Sequence, residues 1–72
     1  MPSVPSVRGI RVVRALELHG FKVARVNGSH HITRHPDGRG TTVPVHGARD
    51  LAKGTLRGIL NEIGLTTDEL GL

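Results

Sequence analysis

Phe21-Lys22-Val23-Ala24-Arg25-Val26, Asn27-Gly28-Ser29, His30-His31-Ile32-Thr33-Arg34-His35, Pro36-Asp37-Gly38-Arg39-Gly40 and Thr41-Thr42-Val43-Pro44-Val45 run consecutively through the middle of the chain. The first block is rich in aromatic and β-branched residues and reads as a strand. Asn27-Gly28 is a strong hairpin signal, because a tight turn between twisted strands needs a positive φ that glycine supplies. His30 to His35 then forms a second strand, stopped by Pro36. Asp37 to Gly40 is a second turn. Thr41 to Val45 is a third strand, with Pro44 at an edge or a strand end because it has no N–H to donate. His46 to Asp50 reads as a loop.

Helical patterns flank this meander. Upstream, Ile10, Val13 and Leu16 recur on one face, and Val12 widens the stripe. Ser6 is the expected N-cap and Gly20 the residue that closes the helix. Arg8, Arg11 and Arg14 form a basic ridge on another face. Downstream, Leu56, Ile59, Leu60 and Ile63 follow the i, i+3, i+4, i+7 spacing of an amphipathic helix ended by Gly64. Thr66-Thr67-Asp68-Glu69 reads as a capping box opening one further turn. The order is α-β-β-β-α. It predicts an α+β domain, a three-stranded antiparallel sheet packed on two helices, with the other sheet face open. This is the layout of the double-stranded-RNA-binding domain (dsRBD).

Seventy-two residues suit one domain over 1–72, with a thin core and 1–7, rich in Pro and Ser, as a flexible arm. The chain has no cysteine, which excludes disulfides and thiolate metal sites. No apolar run approaches the roughly 20 residues that span a bilayer. A soluble, cytoplasmic protein is expected, with no membrane partner. Ten Lys+Arg against six Asp+Glu give a net charge of +4. Most of these cations are arginine, whose planar fork suits phosphate. A nucleic acid or an acidic partner fits this balance. The single aromatic residue, Phe21, argues against recognition by base stacking.

Four of the five histidines fall between Asn27 and Gly47. Histidine holds both protonation states near neutral pH, which suits proton transfer in RNA cleavage by the 2′-OH. If both lie in a strand, His30 and His31 point to opposite faces, His30 with Ile32 and Arg34, His31 with Thr33 and His35. The sequence leaves open which face meets the helices. If Ile32 faces the core, His30 sits partly buried at the edge of that layer. His31 and His35 would chelate zinc on a helix, but on a strand their Cα atoms are about 13 Å apart. No metal or cofactor is expected. Ser29 sits in the turn next to His30, where it bonds the turn backbone more readily than it serves as a nucleophile. Arg34 shares the strand with the histidines and is the candidate to hold the scissile phosphate. Lys53, Gly54 and Thr55 open the second helix, where free N–H groups favour an anion.

Gly28-Ser29-His30-His31, Arg34-His35-Pro36-Asp37-Gly38-Arg39, Thr42-Val43-Pro44-Val45-His46 and Lys53-Gly54-Thr55-Leu56 together resemble the HicA/YcfA-like toxins. Gly20-Phe21 and Ile63-Gly64-Leu65 fall where that family has its helix ends. The resemblance spans about Ser6 to Leu70. It implies a dsRBD-like fold, an mRNA-cleaving ribonuclease, monomeric when alone, and a HicB-like antitoxin that blocks it. It puts the catalytic histidine after Gly-Ser, hence at His30, with His31 as the alternative. Ser29, Arg34, Lys53 and Arg57 are the RNA-contact candidates. Two other readings stand beside this one: a non-catalytic dsRBD-like RNA-binding module, and a regulatory protein whose basic surface meets only another protein.

Overall fold

The computed structural model describes residues 4–72. Helix α1 spans Gly9–Leu18. Strands β1 (Lys22–Asn27), β2 (His30–Arg34) and β3 (Gly40–Pro44) follow, then α2 (Lys53–Ile63) and the short α3 (Thr67–Leu70). The sheet is antiparallel in the order β1-β2-β3. The α-β-β-β-α order and the α+β class are those expected.

The helices cover one face of the sheet. Val12, Leu16, Phe21, Val43, Leu56 and Ile63 are essentially shut off from solvent and form the centre of the core. In α1 the buried face is centred on Val12 and Leu16, while Ile10 is only half-buried. The segment expected as a loose arm is partly tied down. Val4 and Val7 belong to the core, and the Leu51 N–H donates to the Val7 carbonyl at 2.8 Å. Residues 1–3 lie outside the described residues.

Helix α1 starts later than Ser6 suggests. Its N-cap is Arg8, with extended backbone and no side-chain cap. Arg8 pairs with Asp50 in an isolated antiparallel bridge, which holds the chain extended up to that point. The next residue, Gly9, is buried where the helix passes the end of β3, and a Cβ there would collide with the Pro44 carbonyl oxygen. At the other end Gly20 and Phe21 donate back to Glu17 and Leu16, closing α1 as the sequence indicates. Gly64 caps α2 in the left-handed conformation, and Thr66 and Glu69 form the reciprocal capping box of α3.

Arg39 joins the β2–β3 turn to the helical layer. Its Nε donates to Asp37 Oδ2 and its Nη1 to the Ile63 carbonyl at the end of α2, both at 2.7 Å. Its guanidinium lies 5.3 Å from the centre of the Phe21 ring, which also meets His35 edge-on. Asp37 accepts from the Arg39 backbone N–H at 2.9 Å. This bond, reinforced by the Arg39 side chain, holds its carboxyl below the ordinary carboxylate range. Among the described residues no helix is long and apolar enough to cross a membrane.

Candidate functional site

The β1–β2 connection is a two-residue turn, Gly28-Ser29, with Asn27 paired to His30. Gly28 has φ +61° and Ser29 is not in the positive region, the pattern of a II′ turn with glycine first. The Ser29 carbonyl accepts from the Val45 N–H at 2.6 Å, tying the turn to the end of β3. His30 is thereby fixed as the first residue of β2, opposite Asn27 on one side and Pro44 on the other.

The register settles the face. Thr33 is 1% exposed, and its hydroxyl donates to the Thr41 carbonyl at 2.9 Å beneath the helices. With period 2, His31 shares that inner face, paired with Val43 and Val26. His31 is half-buried, and its Nδ1 is buried without a hydrogen-bond partner among the described residues. His30, Ile32 and Arg34 lie on the open face. Ile32 is therefore not a core marker. His30 is exposed rather than tucked at the edge of the helical layer.

The open face carries more positive charge than the sequence suggests. Lys22 pairs with Arg34, and Arg25 pairs with Ile32, so both cations join His30 and Arg34 there. Among the described residues the carboxylate in contact with basic side chains is Asp37, beside Arg39 and His35, so none of these three cations is neutralised by a carboxylate partner. Ala24, Arg25, Ile32 and Arg34 line one shallow depression. A second one continues past Ile32 and Arg34 toward Gly40, Thr42 and, on α2, Glu62. Lys22 and Arg25 were not apparent from the sequence. The available signal was the spacing of Val23 and Val26, three apart just before a two-residue turn, which strict alternation cannot put on one face.

His30 and Arg34 share a face but not an end. An offset of four strand positions puts their Cα atoms about 13 Å apart. The start of α2 lies at the His30 end. Thr41, early in β3, bonds Glu62 late in α2, so the two elements run in opposite senses. The start of α2 accordingly meets Pro44, and Pro44, His46, Arg49, Asp50, Leu51, Ala52 and Thr55 line a depression there. The α2 N-cap, Ala52, offers no side-chain cap, so the first N–H groups of the helix are without an internal acceptor. Lys53 and Arg57 are exposed on α2, in the layer opposite the open face. Among the described residues no three His, Cys, Asp or Glu side chains converge closely enough to hold a metal ion.

The model of the family described as the HicA toxin of bacterial toxin-antitoxin matches residues 9–65, from the first residue of α1 to just beyond α2. The chain belongs to the HicA toxin family. Among curated proteins none matches the chain. Membership gives it the toxin role in a toxin–antitoxin system and implies an antitoxin as partner. The HicA match takes in the whole sheet, both long helices and the Gly-Ser-His turn.

Proposed function

We propose that this toxin is an endoribonuclease that cleaves mRNA in the cytoplasm by proton transfer at His30, without a metal. The observation that carries the reading is the placement of an exposed histidine at the end of an open sheet face whose charged side chains are Lys22, Arg25 and Arg34. A polyanion is attracted to such a face, and an imidazole at its end reaches the polymer backbone.

The reaction needs a base to take the proton from a 2′-OH as its oxygen attacks the adjacent phosphorus. It needs an acid to protonate the 5′-oxygen as the P–O5′ bond breaks. His30 can take the first proton and return it to the leaving oxygen. The products are a 2′,3′-cyclic phosphate and a 5′-hydroxyl. Its exposure supports this role, since the imidazole is open to substrate, whereas His31 is half-buried on the opposite face with its Nδ1 shut off from solvent. Ser29 holds the turn through its carbonyl and offers its hydroxyl to the RNA beside His30. Arg34 binds the RNA strand farther along the face. Lys53 and Arg57, on α2, meet RNA that wraps past the His30 end of the sheet.

The antitoxin partner is a HicB-like protein that covers His30 and sets carboxylates against the basic surface around Arg34 and Lys53. Incubating the purified toxin with single-stranded mRNA and EDTA tests the reading. Fragments with 5′-hydroxyl ends are expected. Binding without cleavage would make the chain an RNA-binding module instead, and 5′-phosphate ends would refute the mechanism.

A further inference from the structure

The bulge in β1 decides which cation stands beside His30. At the start of the strand Phe21 is 1% exposed and Val23 is packed against the core, so Val23 must point inward. At the end of the strand the Gly28-Ser29 turn fixes Asn27 opposite His30, which puts Val26, 54% exposed, on the helix side of the sheet beside His31 and Arg25 on the open side. Strict alternation cannot satisfy both ends. Counted forward from Val23, it would turn Arg25 toward the helices. The register shift between Val23 and Arg25 absorbs the conflict by inserting Ala24 as an extra residue. Ala24 and Arg25 both end up on the open face, in the same depression as Ile32 and Arg34.

Arg25 consequently lies diagonally between His30 and Arg34. Each is displaced by two residues from its partner Ile32, a Cα separation of about 7–8 Å. Arg34 itself is about 13 Å from His30. Arg25 is exposed and makes no ion pair among the described residues. Arg39, by contrast, is committed to Asp37 and the end of α2.

We propose that Arg25 is a catalytic residue that holds the reacting phosphate beside His30, with Arg34 and Lys22 carrying the RNA strand beyond it. This rests on the ribonuclease reading above. As the 2′-oxygen bonds to phosphorus and the P–O5′ bond breaks, negative charge builds on the two non-bridging oxygens. A guanidinium offers them paired N–H donors and a full positive charge, while the proton passes through His30 from the 2′-oxygen to the 5′-oxygen. The bulge is thus the device that aims the charge at the reaction.

The test compares R25Q, R25K and R34Q by single-turnover cleavage at saturating RNA, and by binding of the same RNA with a 2′-O-methyl group at the cleaved position. Melting curves establish that each variant is folded. R25Q should lose about 10²-fold or more in maximal rate while binding the blocked RNA only a few-fold more weakly. R25K should recover part of the rate. R34Q should weaken binding more than R25Q does and lose far less of the maximal rate than R25Q. Cleavage by the unsubstituted toxin with an unchanged maximal rate in folded R25Q would overturn the assignment of Arg25 and leave the ribonuclease reading intact. No cleavage by the unsubstituted toxin would overturn the ribonuclease reading, and this assignment with it.

Discussion

Replacing Gly9 by alanine and Gly58 by alanine is the same chemical change in two helices, and the structure requires opposite results. Gly58 is exposed in the middle of α2, and an added Cβ meets nothing within 4 Å. Alanine there should gain the usual helix advantage of about 0.5–1 kcal/mol. At Gly9 the added Cβ would run into the Pro44 carbonyl oxygen and lie 3.2 Å from both the Pro44 carbonyl carbon and the Val45 Cα. All three atoms are backbone, so no side chain can swing aside. Against fixed backbone, overpacking falls at the upper end of its usual range, about 3 kcal/mol. Set against the helix gain of about 1 kcal/mol, a net loss of about 2 kcal/mol is expected. For a domain of this size that lowers Tm by about 8–16 °C, while the Gly58 variant gains a few degrees. Thermal unfolding followed by far-UV circular dichroism measures both. A Gly9→Ala variant as stable as the original would refute the close passage of α1 over β3. Because Pro44 is paired with His30, the displacement should also lower activity.

Three further outcomes are expected. The Arg39 backbone N–H holds the Asp37 carboxyl below the ordinary carboxylate range, so its contribution is present above that range and fades as pH falls through the lowered folded-state pKa. Asp37→Asn should therefore be less stable than the original at neutral pH and match it in strong acid. Urea titrations at both conditions check this, and a gap independent of pH would contradict it. Lys53→Gln and Arg57→Gln should each lower the slope of log affinity against log salt for RNA by about 1, read by fluorescence anisotropy. Unchanged slopes would remove α2 from the interface. Co-expression with the antitoxin should yield a complex in which His30 is protected from diethylpyrocarbonate and whose association slows as salt rises. A co-purified complex with His30 still reactive would show that inhibition does not cover the site.

What the sequence made legible was local. A Gly-Ser turn, a glycine past the end of α1, Gly64 closing α2 and the Thr66–Glu69 box each depend on a few neighbouring residues, and each is found where the residues indicate. What was not legible depends on distant parts of the chain. Ser6 lost the start of α1 to the pairing of Arg8 with Asp50 and to the passage of Gly9 over Pro44. Ile32, the one apolar residue in its strand, could not settle which face meets the helices. The inner face is instead marked by Thr33, whose hydroxyl is satisfied by Thr41 and so tolerates burial. Arg25 owes its place to the bulge between Val23 and Arg25, which residue type alone does not announce. The candidate site was thus legible at His30, from the turn that places it. Its cationic surroundings follow from a register that only the folded sheet fixes.

The most direct test of the central claim is a comparison of RNA cleavage by the original protein, His30→Ala and His31→Ala, in EDTA, with the fragment ends identified. The account predicts 5′-hydroxyl ends from the original protein, a loss of about 10²-fold or more for His30→Ala with the fold retained, and a much smaller loss for His31→Ala. An active His30→Ala beside a folded but inactive His31→Ala would contradict it, moving the chemistry from the open face to the face beneath the helices.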